Sequence, residues 1–572
     1  MMKRKWWHDK TAYQIYPKSF LDTNGDGIGD LRGIIEKLPY LEDLGIDLLW
    51  LSPVYCSPMA DEGYDISDYY SIDPRFGTME DMDELIAEAK KRGIAVLMDL
   101  VVNHCSDEHE WFKRACADPE GRYGKYFYIR DGREDGTAPT NWRNYFGGPA
   151  WDPLPGHPGK YYLHVFHKKQ PDLNWENPEL REEIYRNINW WMEKGLGGFR
   201  IDAICNIKKP AAFHDYEPDR EDGTASVRHI LEEAEGIDVF LNELKRRCFE
   251  PYDAFTVGEV FNERAEEIPM FIGQDGFFCS IFDFTANHYG RSDLGWYAWK
   301  PCLPGNYRDC TFAAQKAAGT DCFLSNIIEN HDEPRGASRY IPDGERNDTS
   351  KKALAAASFL LHGIPFLYQG QEIGMENKRF GSYEEISDVS TKGEYQAAVE
   401  AGCSKEEALR AVSAFSRDNA RTPMQWDGSP HAGFTSGTPW LMENENYKRI
   451  NVEANLQDPE SVLHFYRKLI RLKKDPALKD TLVYGETVPY LPSEENLMAY
   501  FRKSVPAGWL DDLHEDTPEI LAAVNMCGKK RRIPLPEKMR KILLSNLPVQ
   551  EIRDGALVLL PWQAVVLTKE DA

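Results

Sequence analysis

At 572 residues the chain is longer than one hydrophobic core usually serves, so two to four modules are expected. Its net charge of −25 argues against nucleic acid and anionic membranes as partners. Eleven scattered cysteines, with no Cys-x-x-Cys pair, argue against a disulfide framework and for a reducing compartment. The basic start, Met1 to Lys5, leads into no apolar segment and does not read as a signal peptide. The most apolar stretch, Ala353 to Tyr368, is interrupted by His362, Gly363 and Pro365 and is too short to span a bilayer. A cytoplasmic protein is expected.

In chain order, strand-like runs occur at Ala12–Tyr16, Leu48–Leu51, Ala95–Val101, Gly198–Ile201, Ala254–Val257, Phe278–Phe282, Ser325–Ile328 and Pro365–Tyr368. Helical segments lie between most of them. Leu31–Leu44 and Met79–Arg92 carry apolar residues at helical spacing, with Gly45 and Gly93 as stop signals. Eight strands alternating with helices predict an α/β fold, a (β/α)8 TIM barrel. The barrel is expected over 1–103 and 173–480, with an inserted domain over 104–172 after strand 3. A second insertion, about 375–455, reads as polar and helical before Gln425. From about Thr481 short runs (Leu497–Phe501, Ile520–Val524, Ala556–Leu560, Ala564–Leu567) predict a C-terminal antiparallel β-sandwich domain over 481–572.

Barrel active sites form at the C-terminal ends of the strands. Four stretches rich in ionisable residues fall there: Asp99 to His104, Gly198 to Ala203, Val257 to Val260, and Glu329 to Asp332. Cleaving an α-glucoside with retention needs two carboxyl groups roughly 5–5.5 Å apart, one attacking and one protonating the leaving oxygen. Arg200 and Asp202 share a strand face, so the cation can keep Asp202 ionised. Glu259 follows an apolar strand, and an apolar setting is expected to keep it protonated. Asp332 with His331, and His104, can hold sugar hydroxyls.

A different signal is Asp22-Thr-Asn-Gly-Asp-Gly-Ile-Gly-Asp30. Oxygen ligands at alternate positions, with glycines for tight turns, suit a hard cation such as Ca2+ or Mg2+. The twelfth position from Asp22 is Gly33, so the loop is not an EF-hand.

These stretches resemble the signature regions of the α-amylase superfamily (glycoside hydrolase family 13), and within it the oligo-1,6-glucosidase and α-glucosidase branch. The likeness covers nearly the whole chain, through Ala12 to Phe20, Gly63 to Tyr69, Gln170 to Asn174 and Arg417 to Trp426. It implies Asp202 as nucleophile, Glu259 as acid/base and Asp332 as transition-state stabiliser, with His104, Arg200 and His331 lining the same subsite. Asp61 and Arg417 would close the pocket around the non-reducing glucose, implying exo-action. Tyr64 would stack on that glucose, Phe146 and Phe166 would form apolar walls, and Gln170 would face the next sugar. Glu62 departs from the pattern, since many relatives carry Asn there. Similar loops bind calcium through Asp22, Asn24, Asp26, the Ile28 carbonyl and Asp30, in a structural role.

Linkage preference stays open. The Gln170–Asn174 stretch resembles the 1,6-acting side, whereas Ala203 is smaller than the Val most of those relatives carry. The expectation is an α-glucosidase releasing glucose from short α-1,6- and α-1,4-linked gluco-oligosaccharides by double displacement. The partner is a small oligosaccharide, no organic cofactor is expected, and a monomer is compatible with the chain. The alternatives are a sucrose isomerase or transglucosidase, a trehalose-6-phosphate hydrolase, and a non-catalytic scaffold protein on the same barrel.

Overall fold

The computed structural model describes residues 2–261, 265–292, 294–549, 552 and 554–570. Eight short strands run Ala12–Ile15, Leu48–Leu51, Ala95–Leu100, Gly198–Ile201, Phe255–Gly258, Ser280–Ile281, Ser325–Asn326 and Ile364–Tyr368. They form one sheet in the order sixth, fifth, fourth, third, second, first, eighth, seventh. The first pairs in parallel with the eighth, the fourth with the third and fifth, and the seventh with the eighth. A parallel bridge between Phe282 and Ser325 joins the sixth to the seventh. This is the (β/α)8 barrel. Only Ala95 among the strand residues escapes full burial. Parallel strands covered on both faces carry near-continuous apolar runs, which is why they are visible in sequence. The sixth and seventh are shorter than their apolar runs, because such runs report burial rather than pairing.

The first two helices end where their capping residues dictate. Leu31–Leu44 starts at Asp30, whose carboxylate accepts the Gly33 N–H at 2.7 Å, and stops at Gly45 with φ 97°. Met79–Lys91 starts with a Thr78/Asp81 capping box. Gly198 has φ 148°, and a Cβ there would lie 1.8 Å from the Phe255 carbonyl oxygen. Only glycine lets the fourth strand approach the fifth this closely.

Within the compact unit Trp50–Glu263 with Phe277–Cys279, the segment after the third strand folds as a three-stranded antiparallel sheet of Ile129–Asp131, Lys160–Leu163 and Trp151–Pro153. Tyr128, Trp142, Trp151 and Leu163 form its core together with Val227 and Ile230. Ala225–Ser226 also pairs with Trp142–Arg143. This small core therefore recruits residues that follow the fourth strand, beyond the reach of any local pattern.

The other compact unit (Met1–Leu49, Arg264–Gly276 and Ser280–Ala572) carries the helical insertion and the C-terminal strands. Helices Val389–Glu400 and Lys405–Phe415 share a core of Phe380, Ile386, Tyr395, Ala398, Ala408 and Val412. At the C-terminus, a five-stranded and a two-stranded antiparallel sheet enclose one core that includes Leu497, Leu521, Ile533, Met539, Leu557 and Leu567. Three of its strands are not evident in sequence: Thr487–Pro489, Arg531–Pro534 and Met539–Ser545. The second of these buries only Ile533. The third is an edge strand with two register shifts that break its alternation. The fully buried Arg502 donates to the Gly485 and Leu360 carbonyls, tying the sandwich to the approach of the eighth barrel strand. Among the described residues no helix is long and apolar enough to cross a membrane. No disulfide joins the cysteines.

Candidate active site

In the unit Trp50–Glu263 the register of three parallel strands does the assembly. Arg200 lies opposite Asp99 on the third strand and Val257 on the fifth, and Ile201 lies opposite Gly258. The chain then leaves all three strands at the same level. The Asp202 N–H donates to the Leu100 carbonyl at 3.0 Å, and the Glu259 N–H donates to that of Ile201 at 2.9 Å.

Arg200, with its side chain 1% exposed, holds three carboxylates. Its Nη1 lies 2.7 Å from both Asp99 Oδ1 and Asp202 Oδ1, and its Nη2 lies 2.7 Å from Glu259 Oε1. The guanidinium sits over the Trp50 and Tyr64 rings. Asp99 Oδ2 accepts from Trp50 Nε1 at 3.1 Å and from the Tyr64 hydroxyl at 3.0 Å. Burial pushes the Asp99 carboxyl up to about 6, against the pull of Arg200. Glu259 Oε2 accepts the Ala203 N–H at 3.0 Å. Ala203 is left-handed (φ 41°, ψ 38°), and that turn aims the amide. Glu259 is buried beside Val260, but its carboxyl is not in the purely apolar setting expected, since a cation and a backbone amide occupy its two oxygens.

From this hub a continuous run of contacts reaches the other predicted residues of this unit. His104 Nε2 lies 3.1 Å from both the Tyr64 carbonyl and the Gln170 amide nitrogen. Burial pushes the His104 pKa down. Gln170 Nε2 donates to Asp61 Oδ2 at 3.1 Å, and Gln170 Oε1 accepts the His167 N–H at 3.0 Å. Gln170 is fully buried, so it braces Asp61 and His104 rather than presenting an open face to a sugar. Phe166 packs on His104 with ring centroids 5.2 Å apart, and Phe146 packs on Phe166 at 6.2 Å. Both phenylalanines are half-buried. Glu62 has φ 53°, a left-handed conformation that suits asparagine better than glutamate, which gives its departure from the pattern a local energetic cost.

Asp99 carries no role of its own in the sequence, although it opens the first of the four strand-end stretches. Lys209 carries no local signal either, yet it is a buried ammonium 2.7 Å from Asp172 Oδ2 and 3.1 Å from Asn103 Oδ1. That ion pair fastens the end of the inserted segment to the turn after the fourth strand.

The second compact unit holds His331, Asp332 and Arg417 together. Asp332 Oδ1 lies 2.7 Å from Arg421 Nη2 and 3.2 Å from Arg417 Nη1, and Oδ2 lies 3.0 Å from His331 Nε2. Gln14 of the first strand approaches His331 Nδ1 at 2.7 Å. Burial opposes ionisation of Asp332, but His331, Arg417 and Arg421 outweigh it and hold the carboxyl well below its usual range. Arg421 and Asp388, the latter 2.6 Å from Arg417 Nη2, carried no separate signal in the sequence.

The loop 22–30 is closed on itself. Asp22 accepts the N–H groups of Asn24, Gly25 and Gly27, Asn24 accepts that of Asp26, and Asp26 accepts that of Ile28. Asp30 is engaged by Thr23 and by capping the following helix. Among the described residues no three His, Cys, Asp or Glu side chains converge as a metal site. The side chains of Asp22, Asn24, Asp26 and Asp30 thus all already accept hydrogen bonds, from the loop backbone, Thr23, Gly33 or Thr435.

Comparison with known proteins agrees over the full length. The α-amylase catalytic-domain profile matches residues 14–483. An oligo-1,6-glucosidase of Parageobacillus thermoglucosidasius is 40% identical, with 99% of each chain covered. The crystal structure of Bacillus licheniformis trehalose-6-phosphate hydrolase superposes with a TM-score of 0.89 at 37% identity, covering 99% of this chain and 100% of that one. The isomaltulose synthase of Protaminobacter rubrum gives a TM-score of 0.92 at 36% identity, with 100% of each chain covered. The chain belongs to the α-amylase family of glycoside hydrolases.

Proposed function

We propose that this chain is a retaining, exo-acting α-glucosidase that releases glucose from the non-reducing end of short α-1,6- and α-1,4-linked gluco-oligosaccharides. The observation that carries this reading is the seating of Asp202 and Glu259 on two nitrogens of one guanidinium. A retaining pair needs such closely spaced carboxyl groups. Asp202 attacks the anomeric carbon, and Glu259 protonates the leaving oxygen and then takes a proton from the incoming water. Asp332, held ionised by its arginines, stabilises the positive charge that develops on the sugar. Tyr64, His104, Phe146 and Phe166 are assigned to the glucose subsite, and Asp61 and Arg417 to selection of the non-reducing end. The oligo-1,6-glucosidase relatives support the α-1,6 side of the reading. The oxygen order of 22–30 supports a structural Ca2+ or Mg2+, and the odd number and scatter of the eleven cysteines support a cytoplasmic protein.

The direct test is initial product analysis on isomaltose, maltose, sucrose and trehalose-6-phosphate. Glucose released first as the α-anomer, from isomaltose and maltose, is expected. Isomers in place of glucose, or hydrolysis confined to the phosphorylated sugar, would sink the reading. Asp202→Asn should lower kcat/KM at least about 1,000-fold, the scale of losing a nucleophile. Glu259→Gln should lose the natural sugars yet stay within about tenfold on α-glucosyl fluoride, whose leaving group needs no proton. Equal losses on both would remove Glu259 from the acid role.

The charge around Asp332 also predicts an acid limb of stability. Its folded pKa lies below the unfolded value, so between the two the unfolded chain binds more protons and stability rises with pH. The contribution is complete above roughly pH 4–5 and is lost as pH falls further. Asp332→Asn should flatten the fall in Tm between pH 5 and pH 3, and an unchanged slope would contradict it. If the 22–30 loop holds a cation, protein stripped with EDTA should regain Tm on adding Ca2+. The same treatment should leave Asp22→Asn unmoved.

A further inference from the structure

We propose that Asp388 is a positioning residue for the reaction, setting the aim and the local charge of the arginine pair that holds Asp332. This rests on the role given to Asp332 above. Asp388 has 1% of its side chain exposed and belongs to the helical insertion, not to a barrel strand end. Its Oδ1 takes Arg417 Nη2 at 2.6 Å and Nε at 2.8 Å, gripping one edge of that guanidinium. Arg421 Nη1 lies 3.9 Å from the same oxygen. The remaining Nη of each arginine meets Asp332 Oδ1, at 3.2 Å for Arg417 and 2.7 Å for Arg421. Buried Arg421 and partly buried Arg417 thus stand between two aspartates.

The rest of Asp388 is immobilised. Its Oδ2 accepts the Thr391 N–H at 2.8 Å and the Thr391 hydroxyl at 2.6 Å, capping helix Val389–Glu400. Its own N–H and that of Ser387 donate to the buried Asp418 carboxylate, at 3.1 and 2.7 Å. A long, rotamer-rich arginine gripped in this way loses the freedom to swing off Asp332.

The charge argument is separate from the aim. Without Asp388, Arg417 and Arg421 would present two cations against Asp332, leaving excess positive charge beside a sugar whose transition state is oxocarbenium-like. The ground-state sugar is neutral and feels this little. A unit charge acting over roughly 8 Å at an effective dielectric of about 20 changes a rate by about 30-fold. The effect therefore falls on kcat rather than on KM.

The experiment measures kcat, KM and Tm on isomaltose for wild type, Asp388→Asn, Asp388→Glu and Thr391→Val. D388N is expected to lose about 30-fold in kcat with KM within about threefold. D388E, which keeps the charge, is expected within about fivefold of wild-type kcat. T391V removes one of the two hydrogen bonds to Asp388 Oδ2 and the contact with Ser416, while the Thr391 N–H cap and the Arg417 contacts of Oδ1 stay, so it should lower Tm while leaving kcat within about twofold. A folded D388N with wild-type kcat overturns the proposal, as does a T391V that loses kcat as D388N does. Should D388N not fold, a D388E slowed by about 30-fold overturns the charge argument. A wild-type enzyme that releases no glucose from any substrate defeats the assigned function instead, and is told apart by that result alone.

Discussion

One buried guanidinium makes the rest of the site possible. Three carboxylates taken out of water at adjacent strand ends would repel one another and pay the desolvation of their charges. Arg200 meets all three through two nitrogens. The upward push on Asp99 comes first from its burial, which even this cation does not fully offset. The strand register is what makes the arrangement geometrical rather than accidental. Arg200 faces Asp99 across one ladder, and its own strand ends level with the fifth across the other. Gly198 permits that second approach by having no Cβ. The backbone conformation of one residue and the charge of another thus converge on the same two carboxyl groups.

The same rule governs the second cluster with the charges exchanged. Here one partly exposed aspartate, 32% open, is held by two arginines and a histidine. The arginines are in turn matched by a fully buried aspartate. Alternation of sign keeps buried ionic groups paired, and removing any one member leaves a neighbour uncompensated. Asp388 comes from an insertion with its own small core, so an element that looks peripheral in the chain bears directly on Asp332.

The division between what can be read from the chain and what cannot follows the range of the forces involved. Eight apolar runs, the helix stops at Gly45 and Gly93, and the residues of the four strand-end stretches are local, because burial of a parallel strand and the needs of a helix end are written in consecutive residues. They suffice for the barrel, and for naming Asp202, Glu259, Asp332 and Arg200. The carboxylates' surroundings are not local. That Glu259 meets Arg200 and the Ala203 amide, that Gln170 is spent bracing Asp61 and His104, and that Asp388 and Arg421 attend Asp332 all depend on residues distant in sequence. Edge strands such as Met539–Ser545 escape for a related reason, since exposure and bulges erase the alternation that burial imposes. The sequence by itself determined the fold class and singled out the ionisable groups at the strand ends. Only the tertiary structure decided their partners and their charge, because those are set by long-range packing that no local periodicity records.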